Sequence, residues 1–177
     1  MRKIIWIVSV LTIILGGIYF CNYVTLTKPV MEIIDSDNRN KGIEIDLHYK
    51  NYILPNILIF NLKNVADDKA IADVFRVFLQ TTSGLKEREF ENIELAFKGK
   101  SKFKIGGKYF RQLGEEYENQ NPVYTMRTFP EHILNIQGQS IYSEWTGGLL
   151  GVLNKQMEDF NDFHKKWYLD DLSNSNY

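Results

Sequence analysis

The run Ile4–Phe20 carries no charged side chain and follows directly on Arg2 and Lys3. Extended through Val24, the uncharged stretch reaches about 20 residues, enough for a helix to cross a hydrocarbon core of about 30 Å. Two cations precede it and none follows until Lys28. By the positive-inside rule the start of the chain stays in the cytoplasm and everything after Val24 lies outside it. Trp6 at one end, and Tyr19, Phe20 and Tyr23 at the other, suit the two membrane interfaces.

Other uses of such a run fit less well. A cleaved signal peptide needs a small-residue site of the A-x-A kind, and the nearest approach is Leu15-Gly16-Gly17. A lipoprotein needs a small residue before its modified cysteine, and Phe20 precedes Cys21. A core helix of a soluble domain keeps a polar face, and this run is apolar all round. Residues 1–24 are therefore read as an uncleaved signal-anchor. The expected location is the cell inner membrane, single-pass, with the C-terminal domain in the periplasm. Cys21 is the only cysteine, so no internal disulfide forms and the domain must hold together by its core. The absence of any Asn-x-Ser/Thr sequon leans toward a bacterial envelope protein.

The remainder reads as one α+β domain. Residues 25–41 are expected as a juxtamembrane linker, with Asp35–Gly42 rich in turn formers. The domain is placed at 42–172 and a tail at 173–177. Gly42–Lys50 alternates, with Ile43, Ile45, Leu47 and Tyr49 on one side, and predicts a half-buried strand. Ile57–Leu62 is apolar on both sides and predicts a central strand covered on both faces. Ile71, Val74, Phe75 and Phe78 mark a helix, with Asp67 or Asp68 as its cap.

Ile93–Ile105 predicts a hairpin. A three-residue loop at Gly99-Lys100-Ser101 sets Phe97 against Phe103 and Leu95 against Ile105, on one apolar face. Lys108–Glu118 predicts a short helix, Pro122–Phe129 a further strand, and Thr146–Leu169 a long terminal helix. The stripe of that last helix is Leu149, Val152, Leu153, Gln156, Met157, Phe160, Phe163 and Trp167. The expected architecture is a mostly antiparallel sheet after the transmembrane helix, with helices mainly on one face and a long C-terminal helix.

The chemistry-bearing residues form no catalytic motif. G-x-S-x-G, H-E-x-x-H, C-x-x-C, Walker A and G-x-G-x-x-G are all absent. The chain is read as non-enzymatic, with no cofactor and no metal. Its net charge of −1 gives it no electrostatic footprint for nucleic acid. Glu158 and Asp162 share a helix face near His164, which reads as a solvated acidic face beside a half-buried histidine. Lys98, Lys100, Lys102, Lys104 and Lys108 form a local basic bias, read as solubilising lysines that protect the hairpin edge.

The segment around Tyr124, Arg127, Glu131 and His132 groups an aromatic, a guanidinium, a carboxylate and an imidazole, a set able to grip a polar partner. Alternation in the expected strand points Arg127 away from the core. Trp145, in the glycine-rich segment that follows, is included with them as a candidate binding residue. The expected function is a membrane-anchored accessory or binding domain that engages a protein partner, in the manner of immunity proteins or envelope accessories. The alternative is an anchored hydrolase or small-ligand-binding domain using the Tyr124/Arg127/Glu131/His132 region.

Overall fold

The computed structural model of the chain describes residues 2–175. The side chains of Arg2, Leu149 and Ser175, and the last two residues of the expected tail, lie outside the described set. One helical column opens the fold. It comprises α1 (Arg2–Asn22), a wide π turn at Tyr23–Thr27, and α2 (Lys28–Ser36), and it runs unbroken from Lys3 to Ser36. The column is long and apolar enough to cross a membrane, and none of its most apolar stretch is buried in the protein.

The linker expected at 25–41 is corrected by this column. Leu26, Val30 and Ile34 recur every four residues on one helix face, and all three are buried in the hydrophobic core. Asn40, in the short turn that follows, is buried too. Its amide donates to the Ile34 carbonyl at 2.9 Å and to Gln80 Oε1 at 2.7 Å. The segment is therefore core, not tether.

The sheet has four strands in chain order. β1 (Ile43–Lys50) pairs antiparallel with β2 (Leu54–Val65). The chain then crosses through α3 (Ile71–Gly84), and β3 (Asn92–Phe97) returns parallel to β2. β4 (Lys100–Gly106) pairs antiparallel with β3. The sheet is thus mixed: the α3 crossover makes its central pairing parallel, which a mostly antiparallel reading does not capture. The cap of α3 also differs. Ala70 is the N-cap residue, and the carboxylate of Asp73 accepts its N–H at 2.9 Å; neither Asp67 nor Asp68 does so.

Register explains where the core sits. Leu47, Phe60, Leu95 and Phe103 form one row across all four strands, and Tyr49, Leu58, Ile93 and Ile105 form the next. Aromatic side chains from the helices cover this face. Phe78 of α3 meets Phe60 edge-on at 5.3 Å, and Phe163 meets Phe103 at 5.3 Å. Ile57–Leu62 does lie in a central strand, but its second face is covered differently from the expectation. There Glu94 is buried beneath long side chains, accepting from Lys50 Nζ at 2.7 Å and Ser101 Oγ at 2.8 Å. Burial pushes its carboxyl up, but the Lys50 and Ser101 bonds outweigh that and hold it below its ordinary value.

The hairpin reaches the expected apolar face by another route. Phe97 opposes Lys100, so the loop is only Lys98-Gly99, both with positive φ. This is the twist that suits a two-residue hairpin. An irregularity after Leu95 then restores Phe103 to the core side. Lys102, the extra residue, is turned toward the end of the chain, where it meets Asp171 at 2.8 Å. Lys104 faces Glu94 instead. The lysines of this hairpin therefore do not act as one basic tip.

Helix α4 (Gly107–Glu116) buries Phe110 and Leu113. Helix α6 spans Leu149–His164, later than the expected start. It continues through a π turn at Lys165–Leu169 into α7 (Asp170–Ser175). Gln156, Phe160, Phe163 and Trp167 of the expected stripe are buried. The added width of the π turn brings Tyr168 inward beside Trp167.

Candidate binding surface

Pro122–Thr128 is a helix, α5, and not the expected strand. Its start is local chemistry: Asn121 Oδ1 accepts the Val123 N–H at 2.9 Å, and Pro122 occupies the first turn where no N–H is needed. A 3₁₀ turn at Phe129–His132 follows. Phe129 is buried against Phe75, Phe78 and Phe163, and so pins the segment to the core.

The change from strand to helix redirects Arg127. Its Nε donates to Gln156 Oε1 at 3.0 Å, and Gln156 Nε2 donates to Glu131 Oε1 at 2.9 Å. Gln156 is buried. Arg127 and Glu131 are thereby tied through α6 into a structural relay, and Arg127 is not the outward-pointing fork that alternation predicts. We expect Arg127→Ala to cost about 1–3 kcal/mol, because it leaves a buried amide oxygen without its donor. Thermal unfolding measures this. An unchanged melting temperature would return Arg127 to the set of free binding groups.

Tyr124, Glu131 and His132 line one shallow cleft of about 130 Å³ with Tyr109 and Thr128. The His132 ring lies flat on Tyr109, centroids 3.6 Å apart. Partial desolvation lowers the His132 pKa, against the opposing pull of Glu131 and Glu144. The cleft is smaller than the roughly 300–1,000 Å³ of pockets that enclose small ligands. Trp145 stands apart from it: its indole N–H donates to Asp159 at 2.6 Å, with the Lys155 ammonium 5.9 Å from the ring centroid. A larger cleft of about 330 Å³, involving Arg39, Phe75, Arg76, Tyr117 and Met126, contains none of the expected residues.

Apolar side chains are also exposed on α5 and α6. Val123 (56 %) and Tyr124 (50 %) on α5 are exposed, as is Leu150 (77 %) on α6. The two helices pack on each other and are bonded through Arg127 and Gln156. Val123 is a surface residue that strand-based reasoning passed over. The Asn121-Pro122 pair, a helix-start signature, is the signal that would have exposed it.

His164 is fully buried, not half-buried. Five aromatic rings surround it: Phe75, Phe160, Phe163, Trp167 and Tyr168. Its Nδ1 bonds the Phe160 carbonyl at 2.9 Å, while Nε2 is buried without a partner. Burial drives its pKa down to about 3. Among the described residues, no group of three or more His, Cys, Asp or Glu side chains is arranged to hold a metal ion.

The buried His164 makes a pH prediction with a definite sign. The folded pKa is depressed, so the unfolded chain gains a proton that the native state refuses. The contribution is fully present above the unfolded value of about 6.5 and is lost as pH falls toward the folded one. We expect a loss of about 2 kcal/mol between pH 7 and pH 5 from this residue, with His132 adding in the same direction. Glu94, Asp73 and Asp162 are also held below their ordinary values, and they act at lower pH. Melting curves across this range should flatten in His164→Phe; an equal slope in both proteins would contradict the assignment.

No protein-family model, no curated protein and no solved structure matches the chain.

Proposed function

We propose that the chain is a membrane-anchored binding module, non-enzymatic, which engages a protein partner through the α5–α6 face. In this reading the helix from Lys3 spans the inner membrane. Arg2 and Lys3 hold its start in the cytoplasm, and the α+β domain works on the periplasmic side. The observation that carries the partner reading is the exposure of Val123, Tyr124 and Leu150 on two adjoining helices. Exposed aromatic and aliphatic side chains supply the anchors of protein interfaces. Trp145 and the charged side chains Lys155, Glu158 and Asp159 provide a polar rim. An enzymatic or small-ligand reading asks more of the cleft beside Tyr124. That cleft is shallow, and Arg127 and Glu131 are already engaged with Gln156.

The test is site-specific crosslinking in intact cells. A photoreactive side chain at Leu150 or Tyr124 should give a discrete protein adduct, and the same group at Lys100, on the far hairpin, should not. No adduct at either position, or adducts of equal yield at Lys100, would remove the proposal.

A further inference from the structure

The helical column and β1 run side by side in opposite directions. Asn22 meets the end of the strand: its Oδ1 accepts the Tyr49 N–H at 2.7 Å, and its Nδ2 donates to the Tyr52 carbonyl at 2.9 Å. Five residues on, Thr27 Oγ1 donates to the Leu47 carbonyl at 3.3 Å. Further on, Ile34 shares a surface cleft with Ile43 at the start of the strand. The turn joining β1 to β2 therefore lies at the end of the domain from which the apolar helix departs. Within residues 3–21 every side chain is exposed except Ile18, which is partly covered one helical turn before Asn22. The nineteen residues from Lys3 to Cys21 rise about 28 Å, close to the thickness of a hydrocarbon core.

The turn itself is built to display apolar groups. Ile53 is 61 % exposed, and Tyr52 and Leu54 are exposed as well. Asn51 and Tyr52 both have positive φ, at 53° and 64°. Lys50 opposes Leu54, so the loop is Asn51-Tyr52-Ile53; a positive φ favours glycine, and at Tyr52 a bulky aromatic takes it at a cost in backbone strain. The His48 ring stacks on Tyr52 with centroids 4.3 Å apart and fixes its direction. Tyr19, Phe20 and Tyr23 are exposed on the helix at the same level.

We infer that the β1–β2 turn is a second membrane contact. Tyr52, Ile53 and Leu54 enter the lipid interface beside the anchor, in the leaflet that faces the domain. With Tyr19, Phe20 and Tyr23 they form a collar at the depth where aromatic and aliphatic groups partition between water and acyl chains. Two contacts fix the domain's orientation where a lone helix would leave it to swivel. The lipid surface is the partner argued for, because the exposed turn is continuous with the apolar face of the helix. This inference rests on the anchor reading above.

The test uses the full chain in phosphatidylcholine vesicles, in a Cys21→Ser background. An environment-sensitive fluorophore is placed on Ile53→Cys, with Leu54→Cys as a second site. Leu15→Cys marks the helix, and Lys100→Cys marks the far end of the sheet. Nitroxide lipids quench from near the head or near the tail of the acyl chain. The Ile53 and Leu54 labels should shift to the blue and lose most of their emission to the shallow quencher. The Leu15 label should respond to the deep quencher and the Lys100 label to neither. If the turn labels behave like Lys100 while Leu15 is still quenched, the turn contact is wrong and the anchor stands. If Leu15 is not quenched, both fall together.

Discussion

A chain that begins at Gly42 is expected to fail to fold, whereas one that begins at Asn22 is expected to fold. The boundary follows from where the helical column enters the core. Leu26, Val30 and Ile34 are buried against α3 and the sheet. At about 1.5–3 kcal/mol for each fully buried side chain, they contribute about 5–9 kcal/mol. That matches the whole stability of an ordinary domain, about 5–15 kcal/mol. Removal of Asn40 also strips the buried Gln80 of a hydrogen-bond donor. Residues 3–21, by contrast, add little to the core. Circular dichroism and cooperative melting of the two fragments distinguish these outcomes. A folded fragment from Gly42 would show that α2 is peripheral.

The second large effect is Trp167→Ala. The indole is buried, stacks on Phe163 with centroids 5.4 Å apart, meets Phe60 at 5.9 Å, and donates to the Ala96 carbonyl at 3.2 Å. It thus ties the π turn after α6 to the last residues of β3. Truncating a buried aromatic of this size costs about 3–5 kcal/mol. For a domain of this length that lowers the melting temperature by about 6–20 °C. Trp167→Phe keeps most of the ring contact and should lose much less. A shift of only a degree or two in the alanine variant would mean that the terminal helix is not docked on the sheet.

Much of the fold is legible in the sequence because its determinants are local and periodic. The alternation of Ile43, Ile45, Leu47 and Tyr49 sets a strand face, and the spacing of Val74, Phe75 and Phe78 sets a helix face. Gln156, Phe160, Phe163 and Trp167 mark the core side of the terminal helix for the same reason. The failures have physical causes. In Pro122–Phe129 the mix of Val, Tyr, Thr and Phe imitates strand composition, yet the Asn121 cap, the proline at the first turn and the anchoring of Phe129 make a helix. In 25–41 polar turn formers obscure the four-residue spacing of Leu26, Val30 and Ile34.

The hairpin bulge reflects a contact distant in sequence, with Lys102 drawn toward Asp171. The candidate site was only partly legible for a related reason. Tyr124, Glu131 and His132 do come together, but their common wall, Tyr109, comes from α4. Gln156, the residue that engages Arg127 and Glu131, comes from α6. Neither partner is near in sequence, so the grouping depends on tertiary packing.

One continuous helix completes the core of the domain, and in the proposed function it also anchors the protein in a bilayer. Alkaline carbonate extraction of membranes from cells producing the full chain tests it most directly, beside cells producing the chain from Asn22. The full chain should stay in the membrane pellet while the shortened chain is recovered soluble and folded. Release of the full chain into the carbonate supernatant would contradict it.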